Sequence, residues 1–269
     1  MPTVAELRAR ALALIVPLDA DVLLAHALGV TKEALYAHPD APASAGGAEL
    51  FRVLVERRAG GEPVAYLRGW KEFYGLRFAV DPRVLIPRPE TELVVDAVRS
   101  SGARLVADIG TGSGAIAVAL AVRDPEVRVI ATDISADALA VARANVEAHG
   151  VGERVELRQG DLFAPLRERV DAVAANLPYL TDASVAEWTG ERLSLAFEPP
   201  LAVLAGPDGL ALLRRAIGDL PRVLRPGGVA YFECDPPQVR ALAAEYGGRV
   251  LVDLSGNERV LELRAMMTP

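Results

Sequence analysis

Leu105-Val106-Ala107-Asp108-Ile109-Gly110-Thr111-Gly112-Ser113-Gly114, followed by Val127-Arg128-Val129-Ile130-Ala131-Thr132-Asp133, is the stretch that decides the fold. The apolar run Leu105 to Ile109 ends on glycines and reads as a strand. Ala115 to Val122 is Ala-rich without period-two alternation and reads as a helix, and Val127 to Thr132 is a β-branched second strand closing on Asp133. Glycines at the first turn of such a βαβ unit let backbone approach a ligand closely, and the helix N-terminus adds free amide donors. An acid at the tip of the second strand can accept both hydroxyls of a ribose. The stretch therefore reads as a nucleoside-cofactor site. Gly110, Thr111, Gly112, Ser113 and Gly114 form its turn, and Asp133 is the ribose acceptor.

The cofactor follows from two further features. Gly110-x-Gly112-x-x-Ala115, with Asp133 at a spacing of roughly 20, also satisfies a dinucleotide fingerprint. Asp108, however, stands just before the glycines, where a carboxylate opposes a pyrophosphate but suits a cationic amino-acid group. After a fourth strand, Val170 to Ala175, comes Asn176-Leu177-Pro178-Tyr179, a loop that a dehydrogenase does not need. Both favour S-adenosylmethionine, whose sulfonium and ammonium are positive, with S-adenosylhomocysteine as product. Between these strands, Ser135 caps a helix to about His149, and a third strand, Val155 to Arg158, leads into Gly160-Asp161-Leu162. Asp108, Asp133, Asp161 and Asn176 thus arrive one per strand at carboxyl ends, where open α/β sheets bind ligands. Asp161 is expected at the adenine amino group, with Leu162 and Asn176 also among the cofactor residues.

Downstream, a helix is expected over 208–220, a strand from Val229 to Cys234 after Pro226-Gly227-Gly228, and a helix near 237–246. Arg249 to Leu254 and Glu258 to Leu263 are joined so shortly that they must pair antiparallel. The fold class is α/β, a Rossmann-like seven-stranded sheet of the class I methyltransferase kind with its last strand reversed. Residues 1–69 read as a small helical domain, 70–88 as a hairpin linker, and 89–269 as the cofactor domain. In the helical part, Val4, Leu7, Ala11 and Leu14 recur at helical spacing, Pro17 ends that run, and Asp19 or Asp21 can cap the next helix.

Composition narrows the partners. The net charge of −7 argues against a sequence-blind grip on nucleic acid. Residues 1–72 carry eight Lys and Arg against nine Asp and Glu, so no basic arm precedes the sheet. No apolar run approaches the roughly 18–20 residues of a membrane span. One cysteine, Cys234, excludes an internal disulfide and fits a reducing cytoplasm, and His26, His38 and His149 show no metal-ligand spacing, so no metal is expected.

Arg68-Gly-Trp-Lys-Glu-Phe-Tyr74, Leu85-Ile-Pro-Arg-Pro-Glu-Thr-Glu92, Asp108 to Gly114, Asn176 to Tyr179, Phe197-Glu-Pro199 and Asn257-Glu-Arg-Val260 carry a resemblance. With them the chain resembles the protein-(glutamine N5) methyltransferases that modify the Gly-Gly-Gln motif of class I peptide-chain release factors. The resemblance implies a cytoplasmic enzyme whose helical N-terminal domain helps bind the release factor, with no stable nucleic-acid binding and no membrane. The family's loop carries two prolines, and Leu177 here replaces the first. Asn176, Pro178 and Tyr179 are the expected catalytic residues, and Asn176, Leu177, Pro178 and Tyr179 hold the acceptor. The Asn176 side-chain oxygen and the Leu177 carbonyl would each accept one amide N–H, Pro178 removes a competing donor, and Tyr179 would pack on the planar amide. If only its carbonyl is used, replacing Leu177 by proline should be nearly silent. The alternative is an adenine amino-group methyltransferase acting on nucleic acid, which shares the loop.

Overall fold

The computed structural model describes residues 1–181 and 190–265. They divide into two compact units, Met1–Trp70 with the segment to Phe197, and Lys71 onward with the chain after Glu198. Residues 190–197, expected within the cofactor domain, group with the helical unit.

The helical unit contains α1 (Val4–Ala11), α2 (Pro17–Leu28), α3 (Lys32–Ala37), α4 (Ala45–Ala59) and α5 (Val64–Arg68). Thr3 and Glu6 form a reciprocal capping box on α1, and Ser44 caps α4. Pro17 does not end a helix. It opens α2 at its first position, where a missing N–H costs nothing. Neither Asp19 nor Asp21 caps that helix. Asp21 is buried and bonded to the Arg8 guanidinium at 2.5 Å and to the Tyr36 hydroxyl, and Asp19 pairs with Arg58 at 2.6 Å. Leu7, Leu23, Leu24, Phe51 and Leu54 form this unit's core.

The second unit is built on a sheet of seven strands. These are β3 (Leu105–Ile109), β4 (Arg128–Asp133), β5 (Val155–Gln159), β6 (Val170–Ala175), β7 (Leu224–Glu233), β8 (Arg249–Val252) and β9 (Glu258–Arg264), in the order β5-β4-β3-β6-β7-β9-β8. The β3–β4, β4–β5, β3–β6 and β6–β7 pairs are parallel, whereas β9 runs antiparallel between β7 and β8. The expected sheet with a reversed last strand is the one found. Strand neighbours alternate between two cores, because successive side chains face opposite sides. Val106, Val129 and Ala172 join α6 (Glu92–Ser101), α7 (Ala115–Arg123) and α8 (Ala136–Ala148) on one face. Ala107, Ile130 and Val173 join α10 (Ala211–Val223) and α11 (Pro236–Tyr246) on the other. The short α9 (Pro200–Val203) precedes α10.

Two expectations shift. Strand β7 begins at Leu224 rather than after Gly228, and its pairing with β6 slips between Val170 and Ala172 to absorb Pro226-Gly227-Gly228. A Cβ on Gly228 would stand 2.9 Å from the Arg225 carbonyl, so the slip needs glycine there. The hairpin β1 (Trp70–Phe73) and β2 (Leu76–Ala79) is no free linker. Phe73 and Phe78 are buried in the first core, and the Asn145 side chain of α8 accepts from Ala79 N–H and donates to its carbonyl. Tyr74 and Gly75 turn this hairpin with positive φ at both positions, matching the twist of the strands. Among the described residues, no helix is long and apolar enough to cross a membrane.

Candidate functional site

The chain runs outward from β3 through β4 to β5, then returns to the other side of β3 as β6. That reversal leaves a crevice at the carboxyl ends of the strands. A cavity of about 310 Å³ lies there, walled by Gly110 to Ser113, Asp133 to Ser135, Gly160 to Leu162 and Asn176 to Pro178. Four separate strand ends deliver those four groups, and of the residues expected to converge, Asp133, Asp161 and Asn176 line the cavity whereas Asp108 does not.

The glycine turn is built from below. Asp108 is wholly buried, and its Oδ2 accepts from the Thr111 hydroxyl at 2.6 Å and from Ala117 N–H at 3.2 Å. Its other oxygen has no partner, and burial pushes the carboxyl up to about 7. Asp108 therefore lies beneath the turn rather than on the cavity wall. Gly110, Gly112 and Gly114 all adopt positive φ, and a side chain on Gly110 would collide with Leu177 at 2.9 Å. Asp133 accepts from Gly112 N–H and Ser135 N–H, each at 2.9 Å, one per carboxylate oxygen. Burial raises this carboxyl, while the backbone N–H groups of Ser135, Gly112 and Ile134 act to lower it.

Asp161 lies at the mouth, ion-paired with Arg215 at 2.6 Å, both side chains about half exposed. Leu162 is buried in the left-handed region at φ 47, a strained position for a branched residue, and its carbonyl accepts from the Thr132 hydroxyl at 2.9 Å. In the loop after β6, Asn176 and Pro178 line the cavity. Leu177 lines it too, but its side chain is buried in the second core and seated on Gly110. The condition under which proline at 177 would be nearly silent, use of the carbonyl alone, leaves this packing out of account. Tyr179 is half-buried against the same core and is not on the cavity wall, and its carbonyl accepts from Gln238 Nε2 at 2.7 Å. Burial, with Glu233 and Asp235 nearby, raises its phenol.

Sequence reasoning missed several wall residues. Arg83, Leu85, Pro87 and Arg88 line one side, and Pro199, Leu201 and Ala202 another. Buried Glu198 joins these two segments, accepting from Ile86 N–H at 3.0 Å and from the Arg88 guanidinium. The motifs 85–92 and 197–199 were visible as a resemblance, but nothing local tied one to the other. Thr91 and Glu233 were missed as well. A glutamate inside the apolar run Val229 to Cys234 was the available signal.

The sheet order and the glycine turn beneath this cavity define a Rossmann-like methyltransferase. The PrmC N-terminal domain family matches residues 7–69, and the Methyltransferase small domain family matches residues 89–196. A release factor glutamine methyltransferase of Rhodopirellula baltica is 41% identical over 265 residues, covering 92% of this chain and 88% of that protein. One from Moorella thermoacetica is 42% identical over 257 residues, covering 90% and 89%. Among solved structures, the hMettl16 catalytic domain in complex with MAT2A 3'UTR hairpin 6 superposes with a TM-score of 0.57 at 18% identity, covering 83% of this chain and 82% of that one, a likeness of fold alone. The chain belongs to the release factor glutamine methyltransferase family.

Proposed function

We propose that this protein methylates the side-chain amide nitrogen of the glutamine in a Gly-Gly-Gln loop of peptide-chain release factors, using S-adenosylmethionine. The observation that carries the reading is the single cavity shared by the glycine turn, Asp133 and Asn176 to Pro178. The residues fit the cofactor. The Asp108 carboxyl beneath the turn places an acid close under the cavity floor that suits a cationic ligand, Asp133 on the wall suits a ribose diol, and Gly112 leaves open space above the turn. Asp161 and Leu162 stand where a base would lie, and an adenine amino group would share Asp161 with Arg215. When bound, S-adenosylmethionine supplies an electrophilic methyl group on a positively charged sulfur.

The protein's task is orientation. An amide nitrogen is a poor nucleophile because its lone pair is delocalised into the carbonyl. Asn176 Oδ1 and the Leu177 carbonyl each accept one N–H, which fixes the nitrogen with its lone pair facing the cofactor side of the cavity. Pro178, without an N–H, leaves the loop presenting acceptors. Positioning and fixed dipoles then supply the catalysis without a covalent intermediate. A monomethylated amide keeps one N–H for two acceptors, so a second transfer is disfavoured. Residues 1–69 dock the folded release factor, and the net charge of −7 disfavours extended contact with nucleic-acid phosphates.

Tritium transfer from S-adenosylmethionine to a release factor, to the Gly-Gly-Gln tripeptide and to nucleic acid, run in parallel, tests the reading. Single methylation of the release factor is expected, with poor labelling of the tripeptide and none of nucleic acid. Label in nucleic acid but not in release factor would overturn it. Tripeptide labelling at the full protein rate would remove the docking role of residues 1–69.

A further inference from the structure

Thr91 ends the 3-10 turn Pro89–Thr91 that runs into α6, has helical φ and ψ, and makes no capping bond with its side chain. Here the hydroxyl, in a residue only 4% exposed, turns inward. Asn176 Nδ2 donates to Thr91 Oγ1 at 2.9 Å, and the Thr91 side chain beside Glu233 acts to lower that carboxyl against the upward push of its burial. The sheet register sets this meeting. Ala175 of β6 faces Phe232 of β7, so the next residues, Asn176 and Glu233, leave adjacent parallel strands side by side. Thr91, from the start of α6, completes the contact.

The direction of these bonds follows from what each group can do. A hydroxyl has one proton, and an ionised carboxylate only accepts. A Thr91 proton directed at an ionised Glu233 would leave only lone pairs for Asn176. The Asn176 amide must then present its NH₂ to Thr91, which leaves its oxygen for the cavity. Nothing else in the loop makes that choice, and an amide turned over by 180° would offer the substrate nitrogen a donor instead of an acceptor. Glu233 is buried to 2% exposure and its Oε2 has no partner, an arrangement that costs stability without serving the fold. The charged groups facing it are Glu90, Arg88 and Arg259.

We infer that Thr91 and Glu233 are positioning residues which lock the Asn176 amide with its oxygen toward the acceptor. The inference rests on the proposed function and deepens it, assigning the orientation of the catalytic amide to a donor chain from Asn176 through Thr91 to Glu233.

The test measures methyl transfer to a folded release factor at pH 8.5, where Glu233 is ionised, together with binding of S-adenosylhomocysteine. The variants are Thr91→Val, Thr91→Ser and Glu233→Met. Valine keeps the shape and removes the hydroxyl, and serine restores it. Methionine removes the acceptor together with an unpaired buried charge, so this variant should fold even if valine at 91 does not. Thr91→Val and Glu233→Met are expected to lower kcat about tenfold or more, with KM for the release factor and S-adenosylhomocysteine affinity within about twofold. Thr91→Ser should return kcat to within about threefold. Unchanged kcat in Glu233→Met, or equal losses in Thr91→Ser and Thr91→Val, would overturn the inference. No transfer to release factor by the unaltered chain would instead sink the proposed function, and the positioning role with it.

Discussion

Asp133 shows how one side chain can anchor a turn and still face a cavity. It anchors the glycine turn through Gly112 N–H and the entry to α8 through Ser135 N–H, and still faces the cavity. Asp133→Ala should weaken S-adenosylhomocysteine binding by roughly 1.5–3 kcal/mol, the worth of charge-assisted hydrogen bonds. Calorimetric titration giving the unaltered affinity would exclude Asp133 as the ribose acceptor. Asn176→Ala should cost about 100-fold or more in turnover, the scale of losing one preorganised polar contact, with little change in the melting temperature. Turnover near that of the unaltered protein would take Asn176 out of the mechanism. Leu177→Pro is not silent on this structure. Removing part of a buried side chain seated on Gly110 should destabilise the protein by about 1–3 kcal/mol. Urea denaturation with an unmoved midpoint would show that the packing contributes nothing.

At the scale of elements, the loop after β6 is held from behind by α11 and the turn before α10. Gln238 of α11 donates to the Tyr179 carbonyl, and Gly209, at φ 68, passes so close that a Cβ would stand 2.2 Å from that oxygen. Gly209→Ala should therefore break the Gln238 bond and displace Tyr179, costing more than about 1 kcal/mol and lowering kcat more than cofactor affinity. Thermal melts and steady-state rates check both halves, and an alanine variant equal to the parent in each would show the loop to be independent of this support. The capping of α1, α4 and α8 is local and legible. The junction of β6 with α11 is not, because it joins residues far apart in sequence.

Across the molecule, two buried acids couple stability to pH. Asp108 and Glu233 are both held up to about 7 by burial, against ordinary values of 3.8 and 4.5. In the window between, the unfolded chain has released protons that the folded one keeps. Their contribution is thus complete below about pH 4 and is lost as pH rises through 7. For Asp108 the loss amounts to about 4 kcal/mol. Urea midpoints of the free protein should fall between pH 5.5 and 7.5, and Asp108→Asn should flatten that slope. An equal slope in the variant would show that Asp108 is ionised in the folded protein throughout. The cost fits a cationic ligand, whose charge would offset the buried carboxylate.

Short-range order in the chain was enough to determine the βαβ unit, the glycine turn, the acid at the tip of the second strand and the reversed final strand. Each is written in apolar period, glycine position or connection length within about 30 residues, the span of a βαβ unit. What only the tertiary structure decided are relations between residues far apart. Asp108 lies under the turn rather than on the cavity wall, and Leu177 packs on Gly110. Glu198 reaches back to Ile86 and Arg88, and Thr91 and Glu233 converge on Asn176. No periodicity encodes such pairs, because side-chain partners across a sheet depend on strand order and register. Strand order is settled by which faces can be buried together, and burial is a property of the whole chain.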